Sequence, residues 1–207
     1  MDDLRQTADK IIAVLSEDPA VRKCGIYGSL MTNTHDELSD IDIEIDVSGY
    51  DNGQFMLGLV DYLKDKLDIL YSDYAPSLVP EKYIVSIAID ENDPFRIVDL
   101  SCCAKPHCTS VTRQQTAEKN DKYTHMLKLW TANLKHYARG VECRGDIVRM
   151  AGKIGVKDME YKSEAEILDE TLRWIEENVR ESLRGYVSAC RSKVGELVIR
   201  AKTKITP

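Results

Sequence analysis

The run from Ile41 to Val47 alternates without a break: Ile41, Ile43, Ile45 and Val47 on one parity, Asp42, Glu44 and Asp46 on the other. Successive side chains of an extended chain leave opposite faces, so this run predicts a strand with one apolar and one acidic face. A helix would scatter the same residues around its circumference and bury carboxylates with isoleucines. The chain must therefore build a sheet with one side packed by apolar groups. On the other side, like charges recur at steps of about 7 Å, and they repel unless water or a cation screens them. Asp40 lies two residues before Asp42, so on an extended chain its carboxylate leaves the same face.

Other segments supply partners. Leu4, Ala8, Ile11 and Leu15 recur at helical spacing behind a capping Asp3, and Asp18-Pro19 closes that helix. Cys24-Gly25-Ile26-Tyr27 predicts a short strand that runs into a tight turn at Gly28-Ser29. Residues 30–38 read as polar loop or one helical turn. Ser48 to Gly53 is a turn cluster, and Phe55, Leu59, Tyr62, Leu63 and Leu67 form a second amphipathic helix. Ile69 to Tyr71 reads as a brief strand. Tyr83–Ile89 and Phe95–Leu100 predict strands joined by a hairpin link through Asp90-Glu91-Asn92-Asp93-Pro94. Beyond Pro106 the period changes. Tyr123, Met126, Leu127, Trp130, Leu134 and Tyr137 keep helical spacing up to Gly140, and a shorter helix covers about 142–154. A long helix starts at Ser163, whose Ser163-x-x-Glu166 spacing predicts a capping box, and carries Leu168, Leu172, Ile175, Val179, Leu183 and Val187 on one stripe.

The charge follows the same division. Residues 1–110 carry 21 Asp or Glu against 9 Lys or Arg, whereas residues 111–207 carry 14 against 19. A change of sign between halves predicts two modules: an α/β part at 1–110 and a helical part at 111–207. An acidic first half disfavours binding to nucleic-acid backbones and suits metal ions or cationic substrates. No stretch has the roughly 18 uninterrupted apolar residues of a membrane span. The acidic start, Met1-Asp2-Asp3-Leu4-Arg5, is unlike a secretory signal, so the expected location is the cytoplasm and the six cysteines are expected to be thiols.

The chemistry concentrates between residues 26 and 43. A glycine turn that opens a helix offers backbone N–H groups to an anion, and the Ser29 hydroxyl adds a donor. After ten intervening residues come Asp40 and Asp42, a pair suited to a Mg²⁺ ion that also keeps phosphate oxygens as ligands. A phosphate grip beside a carboxylate pair describes a nucleoside-triphosphate site with metal.

Gly25-Ile26-Tyr27-Gly28-Ser29-Leu30 followed by Ser39-Asp40-Ile41-Asp42-Ile43 resembles the polymerase-beta-like nucleotidyltransferase superfamily. Its motif is a hydrophobic residue, Gly, then Gly or Ser, a gap, and two acids separated by one hydrophobic residue. Within it the run looks most like the small antibiotic-modifying members of the aminoglycoside or kanamycin type. The minimal nucleotidyltransferases of toxin–antitoxin pairs share the motif but usually place Arg where this chain has Leu30. The resemblance implies an α+β fold: a mixed sheet with flanking helices, then a C-terminal helical bundle. It implies transfer of a nucleoside monophosphate, AMP from ATP, to a hydroxyl of a small acceptor such as an antibiotic, with release of pyrophosphate. Gly28 and Ser29 would hold the terminal phosphates. Asp40 and Asp42 would bind Mg²⁺, with two ions expected, and Asp99 in Arg96-Ile97-Val98-Asp99-Leu100 would be the third catalytic carboxylate. A homodimer fits the antibiotic-modifying members. Two alternatives stand beside this: a toxin–antitoxin-type enzyme that acts on or binds a protein, and a catalytically silent nucleotide-binding protein.

Other features have plainer readings. Glu44 and Asp46 read as solvated, and Asp90 and Asp93 as turn residues. Cys102-Cys103 and His107-Cys108 invite a zinc reading, but adjacent cysteines in a strand face opposite ways, which favours thiols. His125 and His136 have no acid fixed beside them in sequence. The Tyr123/Trp130/Tyr137 stripe reads as core. Lys122, Lys128, Lys135, Arg139, Arg149 and Lys153 read as a cationic helix surface, with neutralisation of a triphosphate as the functional alternative.

Overall fold

The computed structural model describes residues 3–79, 82–107 and 109–205. The chain divides into two compact units. One comprises Met1–Ile89 and Phe95–Asp121; the other comprises Asp90–Pro94 and Lys122–Pro207.

The first unit is a five-stranded sheet with helices. Helix α1 spans Asp3–Leu15. Asp3 is thus itself helical and not the expected cap; its carboxylate pairs with Arg96 at 2.7 Å. Strand β1 (Lys23–Tyr27) leads into the single turn of α2 (Gly28–Thr32). The alternating run forms β2 (Ile41–Asp46). Helix α3 (Asn52–Lys64) starts inside the predicted turn cluster, because Asp51 caps it by accepting the Gln54 N–H at 2.9 Å.

Three further strands, β3 (Tyr71–Val79), β4 (Lys82–Ala88) and β5 (Ile97–Cys103), complete the sheet in the order β1-β2-β5-β4-β3. Only β2 and β5 are parallel. The brief strand expected at 69–71 is the start of the nine-residue β3. Ser72, Asp73, Ala75 and Pro76 are weak strand formers, and the β4 ladder overrides their local preference. The sheet edge is where a proline is tolerated.

On one side of the sheet Ile41, Ile43 and Ile45 are fully buried with Ala8, Ile11 and Leu15 of α1 and Met56, Leu59, Val60 and Leu63 of α3. This is the apolar face that the alternation demands. A short helix, α4 (Arg113–Ala117), is followed by Asn120, whose side chain accepts the Tyr74 N–H at 2.7 Å and donates to the Tyr74 carbonyl at 2.8 Å. That pair ties the segment to β3.

The second unit is helical: α5 (Lys122–Arg139), α6 (Arg144–Gly152), α7 (Glu164–Asn178) and α8 (Arg184–Ile205). Trp130 of α5 is fully buried and donates its indole N–H to the Leu168 carbonyl at 2.9 Å. The predicted capping box is present, with Ser163 and Glu166 satisfying each other's backbone N–H groups. The single helix expected from Ser163 through Val187 is two helices. Val179 and Arg180 are extended, and the Asn178 side chain donates to the Trp174 carbonyl at the end of α7. Asparagine and β-branched valine are poor helix formers, so the stripe's period continues across a break that it cannot reveal. The link Asp90–Pro94 belongs to this unit: the Tyr186 hydroxyl donates to the Pro94 carbonyl at 2.8 Å.

Among the described residues, Cys24, Cys102, Cys103, Cys143 and Cys190 are free thiols. Cys102 is fully buried and Cys103 half-buried, which fits opposite faces of β5. Cys108 lies outside the described residues. No described helix is long and apolar enough to cross a membrane.

Candidate active site

The polar side of the sheet carries one row of residues that crosses every strand. Tyr27 of β1 pairs with Asp42 of β2, Asp42 with Asp99 of β5, Asp99 with Ser86 of β4, and Ser86 with Asp73 of β3. Residues directly in register on neighbouring strands share a face. The parallel β2–β5 pairing thus brings together two acids that are 57 positions apart in sequence.

The turn into α2 closes on the same point. Gly28 has φ +68°, and a Cβ built there would collide with Oδ2 of Asp42 and come within 3.2 Å of its Cγ. Only glycine lets the backbone approach the carboxylate this closely in a left-handed conformation. Ser29 follows, half-buried, as the second residue of α2. Asp40 is half-buried in the link immediately before β2. The structure therefore brings Gly28, Asp42 and Asp99 together, with Ser29 and Asp40 next to them along the chain.

Asp99 accepts a hydrogen bond from the Ser86 hydroxyl at 2.5 Å. Beside it on β5, the Ser101 hydroxyl lies 2.7 Å from the Tyr27 hydroxyl. Burial pushes the Tyr27 phenol up, and the charges of Asp42, Asp99 and Glu44 add to that against the Ser101 hydrogen bond. Lys82 reaches over this part of the face, its ammonium 4.8 Å from the Tyr27 ring centre and 3.5 Å from Glu44.

The remaining acids are occupied in structural ways. Asp46 accepts from the Ser48 hydroxyl at 2.5 Å and its N–H at 2.8 Å, which holds its carboxyl below the usual range. Asp90 accepts the N–H groups of Asn92 and Asp93 in the turn. In the helical unit, Lys122 lies over the Trp174 ring, Arg149 pairs with Asp146 at 3.1 Å, and Lys153 lies 3.2 Å from His125. Lys135 is 3% exposed.

The donor set discriminates between kinds of metal site. Among the described residues no three His, Cys, Asp or Glu side chains are arranged to hold an ion by themselves. Two neighbouring carboxylates beside a glycine turn suit a hard divalent cation that keeps phosphate oxygens and water as its other ligands. They do not suit a closed all-protein site such as structural zinc.

A sequence profile of the polymerase beta nucleotidyltransferases matches residues 9–113, half of the chain. The chain belongs to the polymerase beta nucleotidyltransferase family. The matched span holds all five strands and every residue of the row. Part of this nucleotidyltransferase is also similar to the cyclic AMP-AMP-AMP synthase of Escherichia coli (strain MS 115-1). The two are 34% identical over 95 residues, which cover 42% of this chain and 30% of the synthase. Among solved structures, a chain of the GLD-2/RNP-8 complex aligns over 88% of this chain and 54% of its own length, at 14% identity and a TM-score of 0.38.

Sequence reasoning missed Ser86 and Asp73. Ser86 did leave a signal, as the one serine inside the otherwise aromatic and aliphatic run Tyr83-Ile84-Val85-Ser86-Ile87-Ala88. Asp73 left none, because β3 itself was not legible.

Proposed function

We propose that this nucleotidyltransferase moves a nucleoside monophosphate, AMP from ATP, to a hydroxyl of a small acceptor and releases pyrophosphate. The observation that carries this reading is the meeting of Gly28, Asp42 and Asp99 at one point of the sheet. Gly28 and Ser29 hold the terminal phosphates. Asp40, Asp42 and Asp99 would hold magnesium together with phosphate oxygens and water, two ions in the full reading. Bound magnesium would supply neutralisation of the triphosphate and a lowered pKa for the acceptor hydroxyl.

The acceptor oxygen bonds to the α-phosphorus as the bond to the pyrophosphate oxygen breaks. The hydroxyl proton passes to a general base, either Asp99 or a glutamate of the helical half. Positioning and fixed charge provide most of the barrier reduction. Residues 1–110 carry this chemistry and residues 111–207 are accessory to it.

The acidic face favours a cationic acceptor, such as an aminoglycoside, through steering. A second reading follows from the 34% identity to a protein named cyclic AMP-AMP-AMP synthase: the acceptor hydroxyl belongs to another nucleotide. Incubation with α-labelled ATP and Mg²⁺, alone and with a panel of aminoglycosides, tests both. Label in an antibiotic supports the first, and label in an oligonucleotide product supports the second. No pyrophosphate release under any condition removes the transfer reading.

A further inference from the structure

We propose that Ser86 is a positioning residue for Asp99: its hydroxyl fixes the orientation in which the third carboxylate meets the divalent cation. This rests on the transfer reading above and adds to it a residue that no part of the motif includes.

The geometry has three independent parts. Ser86 and Asp99 are direct register partners on β4 and β5, so the backbone ladder sets their separation. The hydroxyl donates to Oδ1 at 2.5 Å, a length within the range of hydroxyl-to-oxygen hydrogen bonds. Ser86 is 1% exposed, and its neighbours Val85, Ile87 and Ala88 are fully buried. Packing alone would accept alanine there. A buried hydroxyl is costly unless it is hydrogen-bonded, and the bond it makes is to Asp99.

Ser86 is also the one hydrogen-bond partner of the Asp99 carboxylate among the described residues. With Oδ1 tethered, rotation about the Cβ–Cγ bond is restricted, and the second oxygen keeps one direction. Partners that orient ligating carboxylates in this way typically change metal affinity or activity by about 10–100-fold when removed. A purely structural role predicts something else. The β4–β5 ladder already joins these strands, so loss of the hydroxyl would lower thermal stability and leave metal affinity untouched.

Ser101 is the internal comparison. It is also fully buried on β5, but its hydroxyl pairs with Tyr27. The test is Mn²⁺ binding, followed by electron paramagnetic resonance, with a non-hydrolysable ATP analogue present. It compares the parent protein, Ser86→Ala, Ser86→Thr and Ser101→Ala, with melting temperatures measured without metal and turnover measured alongside. Ser86→Ala is expected to weaken Mn²⁺ binding by about 10–100-fold and to lower kcat with little change in the acceptor KM. Ser86→Thr restores the hydroxyl and most of the affinity, and Ser101→Ala binds as the parent does.

Parent-like Mn²⁺ binding by Ser86→Ala overturns the inference and leaves the transfer reading standing. An equal loss in Ser101→Ala also overturns it, since the effect would then be one of general sheet stability. If the parent protein binds no Mn²⁺ with the nucleotide, the transfer reading falls and takes the inference with it.

Discussion

Asp42 and Asp99 stand directly beside each other on the parallel strands β2 and β5, at the ladder spacing of about 4.8 Å. Like charges facing each other across a ladder destabilise a sheet, and the folded protein keeps both. Neutralising one should therefore help the metal-free fold while it destroys function. Asp42→Asn is expected to raise metal-free stability by about 0.5 kcal/mol and to abolish pyrophosphate release. In the parent protein, Mg²⁺ with an ATP analogue should raise the melting temperature; in Asp42→Asn that increase should vanish. Thermal melts with and without both ligands check the pair of signs. A variant less stable than its parent without metal would show that the two carboxylates are not repelling.

Gly28 should resist substitution for two separate reasons. Its φ of +68° disfavours any side chain, and a Cβ would strike the Asp42 carboxylate. The conformational part alone costs about 1–2 kcal/mol. The collision adds displacement of Asp42, so Gly28→Ala is expected to lose activity beyond its loss of stability. Melting temperature and turnover of Gly28→Ala, set against a variant of equal stability altered elsewhere, separate the two effects.

The legible parts of this chain are those where one local pattern decides the outcome. Strict alternation from Ile41 to Val47 fixed both β2 and the face its acids occupy. Gly28-Ser29 marked a turn because glycine supplies positive φ, and Ser163 with Glu166 marked a helix start through a reciprocal pair of hydrogen bonds. The illegible parts depend on partners far away in sequence. Strand β3 exists because β4 pairs with it. Its own Ser72, Asp73 and Pro76 argue for a loop. The break at Val179 does not disturb the apolar stripe, so periodicity runs straight through it. Ser86 was visible as an odd residue in an apolar run, but its purpose needed the β4–β5 register.

Asp46 gives a pH dependence with a definite sign. The Ser48 hydroxyl and N–H hold its folded pKa below the ordinary aspartate value. A depressed carboxylate stabilises the fold above the unfolded value of about 4, and that contribution disappears as the pH falls through the lower folded pKa. Because the group is partly exposed, screening keeps the effect to about 1 kcal/mol or less. Asp46→Asn should therefore be less stable than its parent at neutral pH, and the two should converge in acid, once the pH has fallen through the lowered folded pKa. Urea unfolding at neutral and acid pH measures the difference, and a constant gap would assign Asp46 no ionic role.

Helix α3 contains two glycines whose replacement by alanine should act in opposite directions. Gly58 is exposed, and a Cβ there meets nothing within 4 Å. Alanine removes backbone freedom from the unfolded chain, so Gly58→Ala should stabilise by about 0.5–1 kcal/mol. Gly53 is buried in the first turn of the same helix, and a Cβ there would run into Thr109 Oγ1 and come within 2.8 Å of Val111 Cβ. Val111 is itself 6% exposed and its carbonyl accepts from the Tyr83 hydroxyl, so it has little room to give way. Overpacking of this kind costs about 1–3 kcal/mol, more than the propensity gain returns. Denaturant midpoints for the two single variants decide the matter. Because both substitutions add the same methyl group to the same helix, opposite signs can come only from what each methyl meets, and equal signs would mean that the segment around Val111 does not hold its place against α3.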